Sequence, residues 1–194
     1  MKKNFIVTTG LIDTWEFHEN NFLLGNWCEL YETNNEDERK YNNKIPNATT
    51  IIKNEHHWND NEKRNEDYKY LQEQLEYLLE VISEKLSIIH DVKESKEYWR
   101  VIIYSWLIEY FVIIFDRWKR IKTFFEKNKN KKFYTNFINL EDSAYLPKNH
   151  INFCEIAQNH EWNHSVFLRI FNFLNIKNVS LIEKKNIGNN LKNV

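Results

Sequence analysis

The chain has 194 residues and a formal net charge of −1, enough length for a sizeable core and no overall electrostatic pull toward nucleic acid. Seven Trp, ten Tyr and thirteen Phe against three Gly and two Pro exclude a disordered chain and a turn-rich all-β fold. Two cysteines, Cys28 and Cys154, without CxxC spacing exclude a disulfide scaffold and fit free thiols in a reducing cytosol.

The opening MKKNFIVTTGLIDTW has an apolar run too short for a signal peptide. Three β-like runs follow in order: FIVTT (5–9), NFLL (21–24) and TTIIK (49–53), each bounded by turn or polar residues. Spacings of a dozen or more residues suit a small parallel sheet with short crossovers. In such a sheet ligands gather beyond the carboxyl ends of the strands. There the chain offers Thr8-Thr9-Gly10, Gly25-Asn26-Trp27 and His56-His57-Trp58. Thr9 could donate to a phosphate or sugar hydroxyl, Gly25 could let backbone approach a ligand, and Trp27 or Trp58 could stack on a sugar face. His57 and Asp60 are the candidates for positioning or deprotonating an acceptor hydroxyl. Each has a plainer counterpart: the tryptophans pack, Gly25 makes a turn and Asp60 caps a helix.

From Glu66 to Lys127 there is no Gly, Pro or Asn, which predicts helix throughout. Tyr68, Leu71, Leu75, Leu78, Ile82, Leu86 and Ile89 recur at three and four residues, giving an amphipathic helix over about 60–89. A second helix is predicted over about 95–127. Its middle, VIIYSWLIEYFVIIF (101–115), is apolar nearly all round, and Arg100, Glu109, Asp116 and Arg117 close it to a membrane span. That pattern predicts a central helix buried on most faces. Ser105, Glu109 and Asp116 share one stripe, so they should meet a base, solvent or a ligand. Arg100 and Arg117 could grip a phosphate or carboxylate through paired N–H groups, or simply neutralise Glu109 and Asp116. The run 117–132 carries eight bases and one acid and, with Phe124 and Phe125, could lie against anionic lipid. Its plainer role is to offset a helix dipole.

Two short helices are predicted in YLPKNHINFCEIAQN and NHSVFLRIFNFLNI, with residues 177–194 a frayed tail beyond a single domain of 1–176. Between the two helices lies HEWNH (160–164), which matches the two-histidine zinc pattern HExxH. Asn163 suits an N-cap with Trp162 stapled onto Phe167; His160 would then lie outside the helix, and no metal ligand set is assigned.

Several strings, in order, carry a family resemblance: FIVTT with Thr14-Trp15, LLGNWC (23–28), HWND with Asp67-Tyr68 and Tyr70-Leu71, YWRVII with Trp106, FDRW (115–118), and YLP to EWN (145–163). Over residues 4–175 this resembles the amino-terminal part of transferases encoded in bacterial surface-carbohydrate (O-antigen and capsule) gene clusters. The chain departs from that family at Asn26 and His160, where acids are expected, and in length, since members run to several hundred residues.

The resemblance implies a helix-rich α/β fold acting as the acceptor-side lobe of a glycosyltransferase-like enzyme. The nucleotide-activated donor would need a further lobe, so turnover is not expected from this chain alone and no cofactor is expected within it. Implied partners are a sugar or lipid-linked acceptor, a carboxy-terminal lobe or other proteins of the cluster, and no nucleic acid. The implied location is cytoplasmic, peripheral to the inner membrane through 117–132. Two alternatives stand beside it: a non-catalytic binding module at a membrane or partner surface, and a zinc peptidase built on HEWNH. The lobe, and the transferase reading with it, requires the second helix to be wrapped in protein.

Overall fold

The computed structural model describes residues 1–29, 48–138 and 147–184. Within them the α/β class is found, with the expected strands at β1 (Asn4–Val7), β2 (Asn20–Leu23) and β3 (Thr50–Lys53). Four helices follow the predicted order: α1 (Asn61–Ile89), α2 (Lys96–Lys127), α3 (His150–Ile156) and α4 (His160–Phe173). Two further strands were not anticipated, β4 (Phe133–Ile138) and β5 (Val179–Lys184). The five form one all-parallel sheet in the order β3-β2-β1-β4-β5. Val179–Lys184 therefore does not fray: six consecutive residues pair with β4. Unpaired, that stretch has little pattern; beside β4 its backbone groups find partners. Residues 185–194, the rest of the expected tail, lie outside the described residues.

The chain divides into two compact units, residues 1–56 with 120–194, and residues 57–119. The boundary at Lys119 falls inside α2.

The first unit holds the sheet. Phe5, Ile6 and Val7 are buried because β1 is flanked by β2 and β4, whereas β3 and β5 are the half-exposed edges. On one face Phe22 and Phe133 meet edge-on at 5.1 Å, and Phe124 from the last turns of α2 lies 4.9 Å from Phe133. Phe125 joins Phe133 to Phe171 of α4. The proposed use of Phe124 at a lipid surface is thereby corrected: its ring is 3% exposed and belongs to the sheet's core.

The opposite face is polar at its centre. Asn136 donates to the Trp15 carbonyl at 3.0 Å, and Asn21 exchanges hydrogen bonds with the backbone of Glu16. These side chains satisfy the long β1–β2 connection, whose only regular piece is the 3-10 turn Ile12–Thr14.

The second unit is an antiparallel pair made of α1 and the first part of α2. Asp60 begins α1 by accepting from the backbone of Glu62 and Lys63, which settles the cap on Asp60 itself. Leu75, Leu79 and Leu107 form the seam, supported by Ile82, Ile103, Trp106 and Phe111. Trp99 donates to the Ser87 hydroxyl at 2.7 Å near the loop joining the helices.

The expectation of a second helix buried on most faces is overturned. Val101 is 88% exposed and Ile102 54%, with Tyr98, Ile108 and Tyr110 also open. The seam uses only the stripe that includes Ile103, Leu107 and Phe111. A helix with a single helical neighbour buries one stripe, whatever the chemistry of the rest. By length and composition alone α2 is also apolar enough to cross a bilayer.

Candidate functional site

In an open parallel sheet the loops from neighbouring strands part where the strand order reverses, here between β1 and β4. The segment after β1 is Thr8-Thr9-Gly10 and β4 ends at Ile138. His164 of α4 ties these two ends together. Its Nδ1 lies 2.7 Å from the Thr8 hydroxyl, and its Nε2 accepts from the Ile138 N–H at 3.2 Å. Acceptance at Nε2 assigns the proton to Nδ1, which then donates to Thr8. Burial pushes the ring's pKa down to about 4, so it is neutral at neutral pH.

HEWNH does sit on one helix. Asn159, not Asn163, is the N-cap of α4, accepting from Glu161 and Trp162. The earlier cap wins because Asn163 is turned inward, donating to the Ala157 and Asn159 carbonyls. Trp162 packs on Phe153 rather than stapling to Phe167. His160 and His164 thus share a face, but both nitrogens of His164 are engaged, and zinc at Nε2 would have to displace the Ile138 N–H.

His160 opens α4 beside Gly10. Its Nδ1 accepts from the Gly10 N–H at 3.4 Å, leaving Nε2 for another group, and desolvation lowers its pKa. A Cβ on Gly10 would lie 3.1 Å from the His160 ring and 3.2 Å from the Glu29 carbonyl, so the glycine makes this approach feasible.

Thr9 lies fully buried beneath that turn, its carbonyl taking the Thr14 hydroxyl at 2.9 Å. Gly25 has extended backbone, and the atom that would strike a Cβ there is Trp27 Cζ3, at 2.1 Å. Trp27 stacks on Phe167, receives the Arg120 guanidinium 4.1 Å from its ring centre, and donates to the Thr8 carbonyl. The close approach at Gly25 is thus made by the chain's own indole. Arg120, nearly buried and donating to the Leu24 carbonyl, is a residue that sequence reasoning missed. Its position inside a basic run made it look like an ordinary helix-end cation.

The other candidates lie in the second unit. His57 and Asp116 are both buried, with Nε2 3.7 Å from a carboxylate oxygen. The other oxygen of Asp116 is held by Arg117 at 2.6 Å. His57 packs against Trp58, whose indole donates to Asp67, and Lys119 binds the same carboxylate at 2.7 Å. Two buried carboxylates, each held by a cation, therefore gather with His57 and Trp58 in this unit. Lys119 in this cluster carried no signal in the sequence, since it lies in a basic run, and Asp67 entered only among the strings of the family resemblance. Asp60 is taken up in its cap, where the backbone bond from Lys63 chiefly lowers its pKa. Arg100 grips Glu76 through two bonds of 2.8 and 2.6 Å, not Glu109. Glu109 is exposed on the outer face of α2. His57, Asp116 and Arg117 are thus brought together, and Arg100, Glu109 and Asp60 stand apart from them.

The fold defines a parallel α/β protein whose strand order reverses between β1 and β4. The family model for the LIC12162 family transferase matches residues 4–194, and the chain belongs to that family. No curated protein and no solved structure matches it.

Proposed function

We propose that the protein acts in bacterial surface-carbohydrate assembly, binding a sugar or lipid-linked acceptor onto which a nucleotide-activated sugar is transferred. Family membership supports the transferase class. The exposure of α2 removes the packing argument for a lobe built around a buried helix, so the reading stands on the family and on the sites.

The observation that carries the chemistry is the buried His57–Asp116 pair with Arg117 on the far carboxylate oxygen. Sugar transfer needs a base for the acceptor hydroxyl, and a base is effective when a third group fixes its orientation. His57 takes that proton at Nδ1, Asp116 orients the ring from the Nε2 side, and Arg117 fixes Asp116. The 3.7 Å separation is longer than a hydrogen bond, and the proposed role requires it to shorten when the acceptor is bound. At the carboxyl edge of the sheet, His160 beside Gly10 offers a free imidazole nitrogen to a ligand hydroxyl or phosphate.

The test is sugar transfer from a panel of nucleotide-activated sugars to polyprenyl-linked acceptors, followed by mass spectrometry, with a donor-binding lobe supplied because turnover is not expected from this chain alone. His57→Gln is expected to lower the rate by roughly 100- to 10,000-fold. Transfer at the unaltered rate by that variant refutes the role of His57. No binding or transfer with any sugar refutes the carbohydrate reading.

A further inference from the structure

We propose that the amino edge of the sheet, opposite the strand ends discussed above, is a docking surface for anionic lipid bilayers. The sheet topology brings together lysines from separate parts of the chain. Lys2 and Lys3 precede β1, Lys127, Lys129, Lys131 and Lys132 precede β4, and Lys177 precedes β5. All strands are parallel, so these approaches share one edge. All seven lysines are exposed.

The grouping is fixed by contacts within the first unit. The ammonium groups of Lys3 and Lys132 sit 5.3 and 5.5 Å from the centre of the same ring, Tyr134. Lys131 lies 5.4 Å from the centre of Phe22. Lys2 reaches the start of β3, donating to Thr50 at 3.2 Å and to the Ala48 carbonyl. Asn178 binds the Lys131 carbonyl and Asn4 the Lys132 carbonyl, which ties the approaches to β1, β4 and β5 to one another. Against the seven lysines stand Glu19, which accepts from the backbone of Lys3, and Glu126. Among the described residues none of the seven forms an ion pair, so their charge is not neutralised internally.

The chemistry of the patch selects its occupant. It is all lysine, without the planar arginine fork that grips one phosphate through two bonds. Point charges spread along an edge suit a surface of many mobile anions. Single-stranded nucleic acid would need ring faces to stack on, and here lysines lie over Tyr134 and Phe22. Seven lysines on one edge of the sheet, in a chain whose net charge is only −1, concentrate positive charge there and draw that edge to an anionic plane. This inference is independent of the base assigned to His57.

The experiment is co-sedimentation of the whole protein with vesicles of phosphatidylcholine alone, or with roughly a third phosphatidylglycerol. Binding is expected only to the anionic vesicles and should fall as salt is raised, because exposed charges are screened. Lys131→Glu with Lys132→Glu and Lys177→Glu should weaken it by roughly a hundredfold, at about fivefold per lysine lost. Lys63→Glu with Lys69→Glu and Lys85→Glu changes net charge equally in the other unit and should leave binding nearly unchanged. Equal binding to neutral vesicles, or equal loss in both triple variants, overturns the proposal. Preferential binding of single-stranded RNA over anionic vesicles overturns it as well. The salt titration uses unmodified protein, so a fold defect in a variant does not blunt the test.

Discussion

Acidification should weaken the link between β1 and β4 by a calculable amount, because His164 is buried as the neutral ring. Its folded pKa is depressed to about 4 from an ordinary 6.5, the cause being desolvation. The unfolded chain therefore binds a proton first as pH falls, and stability drops through the window from 6.5 down to about 4. Above that window the effect vanishes. The gap between those two values corresponds to about 3 kcal/mol at the acid end, with a slope approaching 1.4 kcal/mol per pH unit between them. Protonation would also place an N–H at Nε2 against the Ile138 N–H, so the bond to β4 is lost with the neutral ring. Urea unfolding of the wild type and His164→Gln at several pH values isolates this contribution. His160, also depressed by desolvation, adds a smaller slope of the same sign in both proteins and cancels in the difference. The variant should be less stable at pH 7 by about 1–3 kcal/mol for the hydrogen bonds it disturbs, and should lose most of the extra slope. Parallel pH profiles for the two proteins would refute the reasoning.

Gly25→Ala should destabilise by about 1–3 kcal/mol, because the new methyl meets the Trp27 ring; loss of the native tryptophan fluorescence before global unfolding would report it. In α2, Leu107→Ala should cost about 2–5 kcal/mol in denaturant unfolding, whereas Val101→Lys should stay within about 0.5 kcal/mol. Equal costs would restore a buried second helix. Arg100→Ala should cost little in denaturant unfolding, since Glu76, whose pKa of about 2 reflects chiefly its bond to Arg100, is 45% exposed and solvent screens the pair. A loss of several kcal/mol would show that this pair holds the two helices together. Asn159→Ala should cost about 1 kcal/mol in thermal unfolding, while the same change at an exposed residue in the last turn of α4, Asn172, should be close to neutral or stabilising.

Local rules carried the elements whose stability is local. The absence of breakers from Glu66 to Lys127 and the spacing of Leu71, Leu75 and Leu79 gave both long helices nearly to their ends. The runs before residue 60 gave three strands because β-branched and aromatic residues lay between polar stops. Of the candidate site, the positions beyond the carboxyl ends of those strands were legible, since a parallel sheet has only one such edge. What each residue does there was not: Trp27 could stack on a sugar or on Phe167, and only the packing chose Phe167.

The sequence by itself determined where the chain could be helical and where extended, since both depend on residues within a few positions of each other. Only the tertiary structure decided the rest. Phe133–Ile138 and Val179–Lys184 are strands because each completes the other's ladder across a long stretch of chain. Asp116 faces His57, and His164 bridges Thr8 and Ile138, through separations that no periodicity encodes. The outward face of α2 also carries large apolar residues, Val101, Ile102 and Ile108, so composition alone could not tell it from the seam. Burial depends on how many neighbours a helix acquires, and that number belongs to the fold rather than to the helix.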